Sequence, residues 1–164
     1  MAKITLKGNQ ISTSGNLPAV GSQAPEFTMV KEDLSETSLS GVSGRKVLNI
    51  FPSVDTGVCA ASVRAFNQRA ASLKDTVVLN ISKDLPFAQK RFCGAEGIKN
   101  ATSASVFRSD FAQKYGLEIV DGPLKGLCSR VVLVLDASNK VLYAQQVAEI
   151  ATEPDYDAAL KALA

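Results

Sequence analysis

Residues 47–82 constrain the fold of this chain more than any other segment. Val47-Leu48-Asn49-Ile50-Phe51 is a short apolar run stopped by Pro52, the pattern of a buried strand. Asp55 and Thr56 follow as helix N-cap candidates. Cys59, Val63, Phe66, Ala70 and Leu73 then fall at i, i+4, i+7, i+11 and i+14, which is an amphipathic helical stripe. Thr76 to Ser82 (TVVLNIS) has the pattern of a second buried strand. Strand, helix and strand within about 36 residues predict a right-handed βαβ unit and a parallel strand pair.

The flanking segments extend this unit. KITLKG and QISTSG flank Gly8-Asn9 and predict a β-hairpin within residues 1–15. Residues 16–46 are rich in Pro, Gly and Ser, with a short extended piece from Glu26 to Val30. DLPFAQKRFCGAEG predicts a short helix beginning near Pro86 and ending at Gly94. A further helix is expected from Ser109 to Tyr115, closed by Gly116. Val131 to Leu135 and Val141 to Val147 bracket Asp136–Lys140 as a hairpin with a longer turn. Asp155 to Leu163 closes the chain as a helix entered through Glu153-Pro154. A βαβ unit followed by helix, hairpin and helix is the order of a thioredoxin-like α/β sandwich, a central mixed sheet flanked by helices. At 164 residues with 46% apolar composition, residues 1–164 are expected to form a single domain.

Composition narrows the chemistry. The chain has no histidine, which removes Ser-His-Asp and Cys-His catalysis and imidazole-dependent metal sites. Its net charge of +2 is too balanced to argue for nucleic acid or an anionic membrane surface. Cys59, Cys93 and Cys128 are few and odd in number, unlike a secreted disulfide framework. No Cys-x-x-Cys pair, signal-peptide core or transmembrane-length apolar run is present. The expected compartment is the cytoplasm, and no metal or other cofactor is expected.

Cys59 is the candidate nucleophile. With Thr56 as N-cap it occupies the third helical position, where free amides and the helix dipole favour an anion. Thiols in such settings react as thiolates. Yet Cys59 also begins the apolar stripe, and free cysteines are commonly buried as small hydrophobes. Position alone leaves both readings open.

The wider segment decides between them. Pro52-Ser-Val-Asp-Thr56-Gly-Val-Cys59 matches the Pro-x-x-x-Thr/Ser-x-x-Cys signature of peroxiredoxins. FPSVDTGVCAASVRAFN, DLPFAQKRFCGAEG, DGPLKG, EIATEPDYDAAL and the VGSQAPEFTMV entry resemble the bacterial thiol peroxidase branch of that family, an atypical two-cysteine group. The resemblance runs over essentially the whole chain. It implies that Cys59 attacks peroxide and becomes a sulfenic acid, and that Cys93 resolves it as an intramolecular disulfide. It further implies roles for Thr56, Pro52 and Arg130, thioredoxin as the reductant, hydrogen peroxide or organic hydroperoxides as substrates, and a homodimer. Cys128 matches no functional cysteine of the family. Arg64, one turn beyond Cys59, is either a site residue or a solvated helix arginine.

A magnitude limits what thiolate formation can explain. A thiol of pKa ~8.5 is ~3% ionised at pH 7, so full ionisation gains only ~30-fold. Lowering the pKa by ~3 units costs ~20-fold in nucleophilicity at a Brønsted slope of ~0.45. The two effects nearly cancel. Rate enhancement is therefore expected from orienting the O–O bond and stabilising the departing oxygen. On this reading Thr56 and nearby amides position the peroxide, Arg130 stabilises charge, and Pro52 shields the sulfur. Two rival classes are a non-enzymatic thioredoxin-fold redox sensor or binding module, and a structural α/β protein with inert thiols.

Overall fold

The computed structural model describes residues 1–163. β1 (Lys3–Leu6) and β2 (Asn9–Ser12) form the N-terminal antiparallel hairpin. Its turn is Lys7-Gly8 rather than the expected Gly8-Asn9, with φ of 50° and 82°. Positive φ at both positions suits the right-handed twist of the flanking strands. The register pairs Ile4 with Ile11, both buried. A slip of one residue would turn an isoleucine to solvent.

The remaining strands build one seven-stranded sheet. β3 (Thr28–Val30) and β4 (Glu36–Ser38) pair antiparallel, and β5 (Arg45–Ile50) leads into α1 (Gly57–Ala70). β6 (Thr76–Ser82), α2 (Pro86–Glu96), β7 (Thr102–Ser105) and α3 (Phe111–Lys114) follow. β8 (Val131–Leu135), β9 (Val141–Gln146) and α4 (Tyr156–Lys161) complete the order. The spatial order is β4-β3-β7-β6-β5-β8-β9. β5, β6 and β7 are parallel, as the βαβ reading requires, and the outer strands are antiparallel. This is the expected thioredoxin-like mixed sheet with helices against it.

Alternation along the central strands divides the core between the two sheet faces. Leu48, Ile50, Leu79, Ile81, Val131 and Leu133 face one cluster, which includes the tilted and edge-on rings of Phe27, Phe111 and Tyr115. Val47, Val78, Val132 and Val134 face the other, beneath Phe66 of α1 and Ala159 of α4. No helix among the described residues is long and apolar enough to cross a membrane.

Several boundaries differ from the sequence reading. The helix at Pro86 runs through Gly94 to Glu96 and stops at Gly97, whose φ of 66° is left-handed. The amides of Gly97 and Ile98 both donate to the Cys93 carbonyl. α1 ends at Ala70, although Leu73 still packs into the core beyond it. The segment 109–115 contains only the short helix α3. Asp155 is the N-cap of α4, and its Oδ1 accepts from the Ala158 amide at 3.0 Å. β4 and β7 have no counterpart in the sequence reading. Thr102-Ser-Ala-Ser105 lacks an apolar run because it uses small side chains beneath α2.

Candidate active site

β5 delivers the chain to Phe51 and buried Pro52, and α1 begins five residues later. Between them, Thr56 caps the helix, its Oγ1 accepting from the Cys59 amide at 3.3 Å. Cys59 therefore lies in the first turn of α1, near the positive end of the helix dipole. Its thiol is fully buried, packed with Phe51, Val54 and Val63 and flanked by Phe92 and Ile98.

The cap loop is held from β6. The Asp84 carboxylate accepts from Ser53 Oγ at 2.7 Å, the Val54 amide at 2.9 Å and Ser82 Oγ at 2.6 Å. Deeper in the protein, Ser62 Oγ donates to the Cys59 carbonyl at 2.8 Å. Asn49 Nδ2 in turn reaches Ser62 Oγ and Asn80 Oδ1. The backbone around the thiol is thus fixed from both sides.

Arg130, immediately before β8, approaches from across the sheet. Its Nη2 lies 3.2 Å from Cys59 Sγ, and its Nε donates to the Ile150 carbonyl at 2.8 Å. The side chain is only 2% exposed, and Nη1 has no protein partner. A guanidinium stays protonated in proteins, and buried charge requires compensation. Among the described residues Arg130 has no carboxylate partner. The side-chain atom that lies against the guanidinium is the Cys59 sulfur.

Arg130, Pro52, Thr56, Gly57 and Val58 line a cleft of about 630 Å³. Its other walls come from distant segments: Leu6, Lys7, Asn9 and Ile11 of the hairpin, Pro123-Leu124, and Ile150-Ala151. The hairpin is tied to the last of these, since the Thr5 amide donates to the Ala148 carbonyl and the Ile150 amide to the Thr5 carbonyl. The same short segment therefore supports a wall of the cleft and the acceptor that orients Arg130.

Cys93 stands apart from this group. It is buried on α2, with its Sγ 3.0 Å from Ser103 Oγ on β7. Burial pushes its thiol pKa up, while the Ser103 contact opposes that rise. Cys59 and Cys93 are both free thiols. Cys128 lies deep in the main core, where burial pushes its pKa up to about 12. Arg64 extends outward and pairs with Glu96 at 3.4 Å, so it is a solvated helix arginine. Sequence reasoning did not identify Asp84, Ser103 or the Ile150 carbonyl. The Ser82-x-Asp84 spacing after a strand offered a weak signal for the first, and the other two depend on packing alone.

The chain is similar to known proteins over nearly its whole length. Residues 19–160 match the Redoxin family. The chain is 59% identical to a thiol peroxidase of Corynebacterium glutamicum over 164 residues, covering 99% of each chain. It is 57% identical to a thiol peroxidase of Mycobacterium bovis, again with 99% of each covered. Among solved structures, a peroxiredoxin-like protein from Aquifex aeolicus superposes with a TM-score of 0.93 at 41% identity, covering 99% of this chain and 96% of that one. A thiol peroxidase from Chromobacterium violaceum gives a TM-score of 0.91 at 25% identity, covering 98% and 95%. A cysteine at a capped helix start, a buried arginine against its sulfur and near-complete overlap with these relatives lead to one conclusion: the chain belongs to the redoxin family, in its peroxiredoxin branch of thiol peroxidases.

Proposed function

We propose that this thiol-dependent peroxidase uses Cys59 as its peroxide-reducing sulfur, Cys93 as the resolving thiol and Arg130 as the principal charge-stabilising group. One observation carries the assignment: a buried guanidinium lies 3.2 Å from Cys59 Sγ while another of its nitrogens has no protein partner. In the first step the Cys59 thiolate attacks the terminal peroxide oxygen. An S–O bond forms, the O–O bond breaks, and the leaving oxygen departs as water or alcohol after taking a proton. Sulfur is oxidised by two electrons to sulfenic acid. Donors already in place for the developing oxyanion avoid reorganisation during the step. Nη1 of Arg130 is the spare donor, and Thr56, whose hydroxyl donates to the Ser53 carbonyl at 3.4 Å, lines the same cleft. Pro52 is read as the shield between sulfur and water.

In the second step the Cys93 thiol attacks the sulfenic sulfur. The S–S bond forms, the S–O bond breaks, and hydroxide leaves as water with the Cys93 proton. A dithiol of the thioredoxin type then reduces the disulfide. The cleft walls Leu6, Ile11, Val58, Leu124 and Ile150 favour organic hydroperoxides alongside hydrogen peroxide. Residues 1–164 are read as one thioredoxin-like peroxiredoxin domain, acting as a homodimer in the cytoplasm. Likeness to the family supports the dimer, and a dithiol-recycled active site suits a reducing compartment.

The test is peroxide consumption coupled to thioredoxin, with mass analysis of each product. Cys59→Ser is expected to abolish turnover. Cys93→Ser is expected to consume one equivalent and stop at Cys59 sulfenic acid or more oxidised forms. Substantial turnover in Cys59→Ser would overturn the first assignment, and normal turnover in Cys93→Ser the second.

A further inference from the structure

We propose that Ser103 is a positioning residue that holds the Cys93 thiol on the sheet and sets how readily it is released to resolve oxidised Cys59. This rests on the reading of Cys93 as the resolving thiol. The distinctive feature is how α2 attaches to the protein. Its buried residues are Pro86, Gln89 and Cys93, which share one helix face. Two of these three dock through polar contacts. Gln89 Nε2 donates to Ser82 Oγ at 3.1 Å and to the Ala104 carbonyl at 3.2 Å. Cys93 Sγ meets Ser103 Oγ at 3.0 Å, with both residues buried.

Beyond Cys93 the helix has little anchorage. Gly94, Ala95, Glu96 and Gly97 are all exposed. The Arg64–Glu96 ion pair joins side chains 46% and 35% exposed, a setting in which such pairs contribute little. Phe92 packs against the Cys59 cluster from the preceding position. Ile98, just past the helix, packs against the same cluster, and the Ser103 contact is the buried polar tie at the C-terminal end of α2. Segments with few buried apolar contacts open locally at low cost, and Cys93, a free thiol seated on Ser103, must leave that contact to form an S–S bond near 2.05 Å. Ser103 opposes that movement. It keeps Cys93 seated while peroxide reacts at Cys59, and its release becomes part of the resolving step.

A single-turnover experiment tests this. Reduced protein receives one equivalent of hydrogen peroxide, is quenched by alkylation at intervals, and is resolved by mass into thiol, sulfenic and disulfide forms. Ser103→Ala is expected to form the Cys59–Cys93 disulfide about five-fold faster than wild type, the weight of one ordinary hydrogen bond. Its peroxide-consumption rate should be unchanged. At excess peroxide, the fraction of Cys59 trapped as sulfinic acid should fall by a similar factor. Hydrogen exchange should quicken across residues 86–96 and stay unchanged in β5 and β6. Ser103→Thr retains the hydroxyl and should resolve at the wild-type rate. Resolution in Ser103→Ala at or below the wild-type rate overturns the proposal, as does Ser103→Thr behaving like Ser103→Ala. If the wild type itself forms no Cys59–Cys93 disulfide, the reading of Cys93 fails instead, and this proposal with it.

Discussion

Arg130 has three kinds of nitrogen in three different situations: Nε on a backbone carbonyl, Nη2 on sulfur, and Nη1 unpartnered. Only a planar fork can meet all three at once. A lysine at this position keeps the charge but cannot hold the Ile150 carbonyl, the sulfur and a leaving oxygen together. Arg130→Lys is therefore expected to slow the peroxide step by ~10²–10³. The check is to measure that rate and the Cys59 thiolate fraction on the same variant. A loss that disappears at equal thiolate fraction would reduce Arg130 to an ionising group. Cys128 presents the opposite case, a thiol used for packing. The unfolded chain releases its proton near pH 9, whereas burial holds it in the folded state up to about 12. Between those values the unfolded state binds fewer protons, so stability falls as pH rises. Below pH 9 this contribution is fully present. In Cys128→Ala it is removed, and urea unfolding should show a decline over pH 9–12 shallower by up to about 1.4 kcal/mol per pH unit. Turnover of that variant at neutral pH should stay near the wild-type value.

At the scale of elements, the start of α1 and the approach to α2 share one carboxylate. Asp84 precedes α2 by two residues, yet it bonds Ser53 and Val54 in the loop that leads to Cys59. Its own carbonyl accepts from Ser105 Oγ on β7. The loop carrying Pro52 and Thr56 is thus pinned to the parallel strands. In Asp84→Asn an amide replaces one acceptor oxygen and the charge is lost, so a serine hydroxyl must turn to accept from the new NH2 and the charge-assisted bonds are weakened. A hydrogen bond to a charged group contributes about 1.5–3 kcal/mol, and urea unfolding should show a loss in that range. The peroxide kcat/KM should fall about ten-fold through lost orientation, measured with the stability of the same sample. An unchanged kcat/KM would mean that the cap loop keeps its geometry without Asp84.

Across the whole molecule, the cleft draws its walls from both ends of the chain and from its middle. The hairpin contributes Leu6 to Ile11, the α1 start contributes Pro52 to Val58, and Ile150-Ala151 adds a wall beside the hairpin. Ile4 and Ile11 pack with Ile119 and Ile150 into a small separate cluster that fastens the hairpin to the sheet sandwich. Exposed Leu85, Phe87 and Phe107 remain on the outside, around the start of α2 and the end of β7. The family likeness leads us to expect a homodimer. Sedimentation at micromolar concentration should give twice the 17.3 kDa chain mass, and a purely monomeric mass would refute it.

The βαβ unit and the capped start of α1 were legible in the chain because they depend on neighbours in sequence; position made Cys59 a candidate, and the resemblance gave it, Thr56 and Pro52 their expected roles. Periodicity, capping chemistry and a strand stopped by proline are local effects. The segments misplaced or missed lacked such local cues. β7 is made of Thr, Ser and Ala, and its pairing with β6 and β3 comes from the sheet around it. Gly94 suggested a helix end, but the left-handed turn falls at Gly97, where two amides close on the Cys93 carbonyl. The resemblance assigned a role to Arg130; only the fold brings it to a residue 71 positions away. Tertiary structure likewise decided that Arg64 turns outward to Glu96, that Asp84 bonds the cap loop and that Ser103 meets Cys93. Those contacts join residues on different elements, ten or more positions apart, so only the packing of strands and helices against one another can create them.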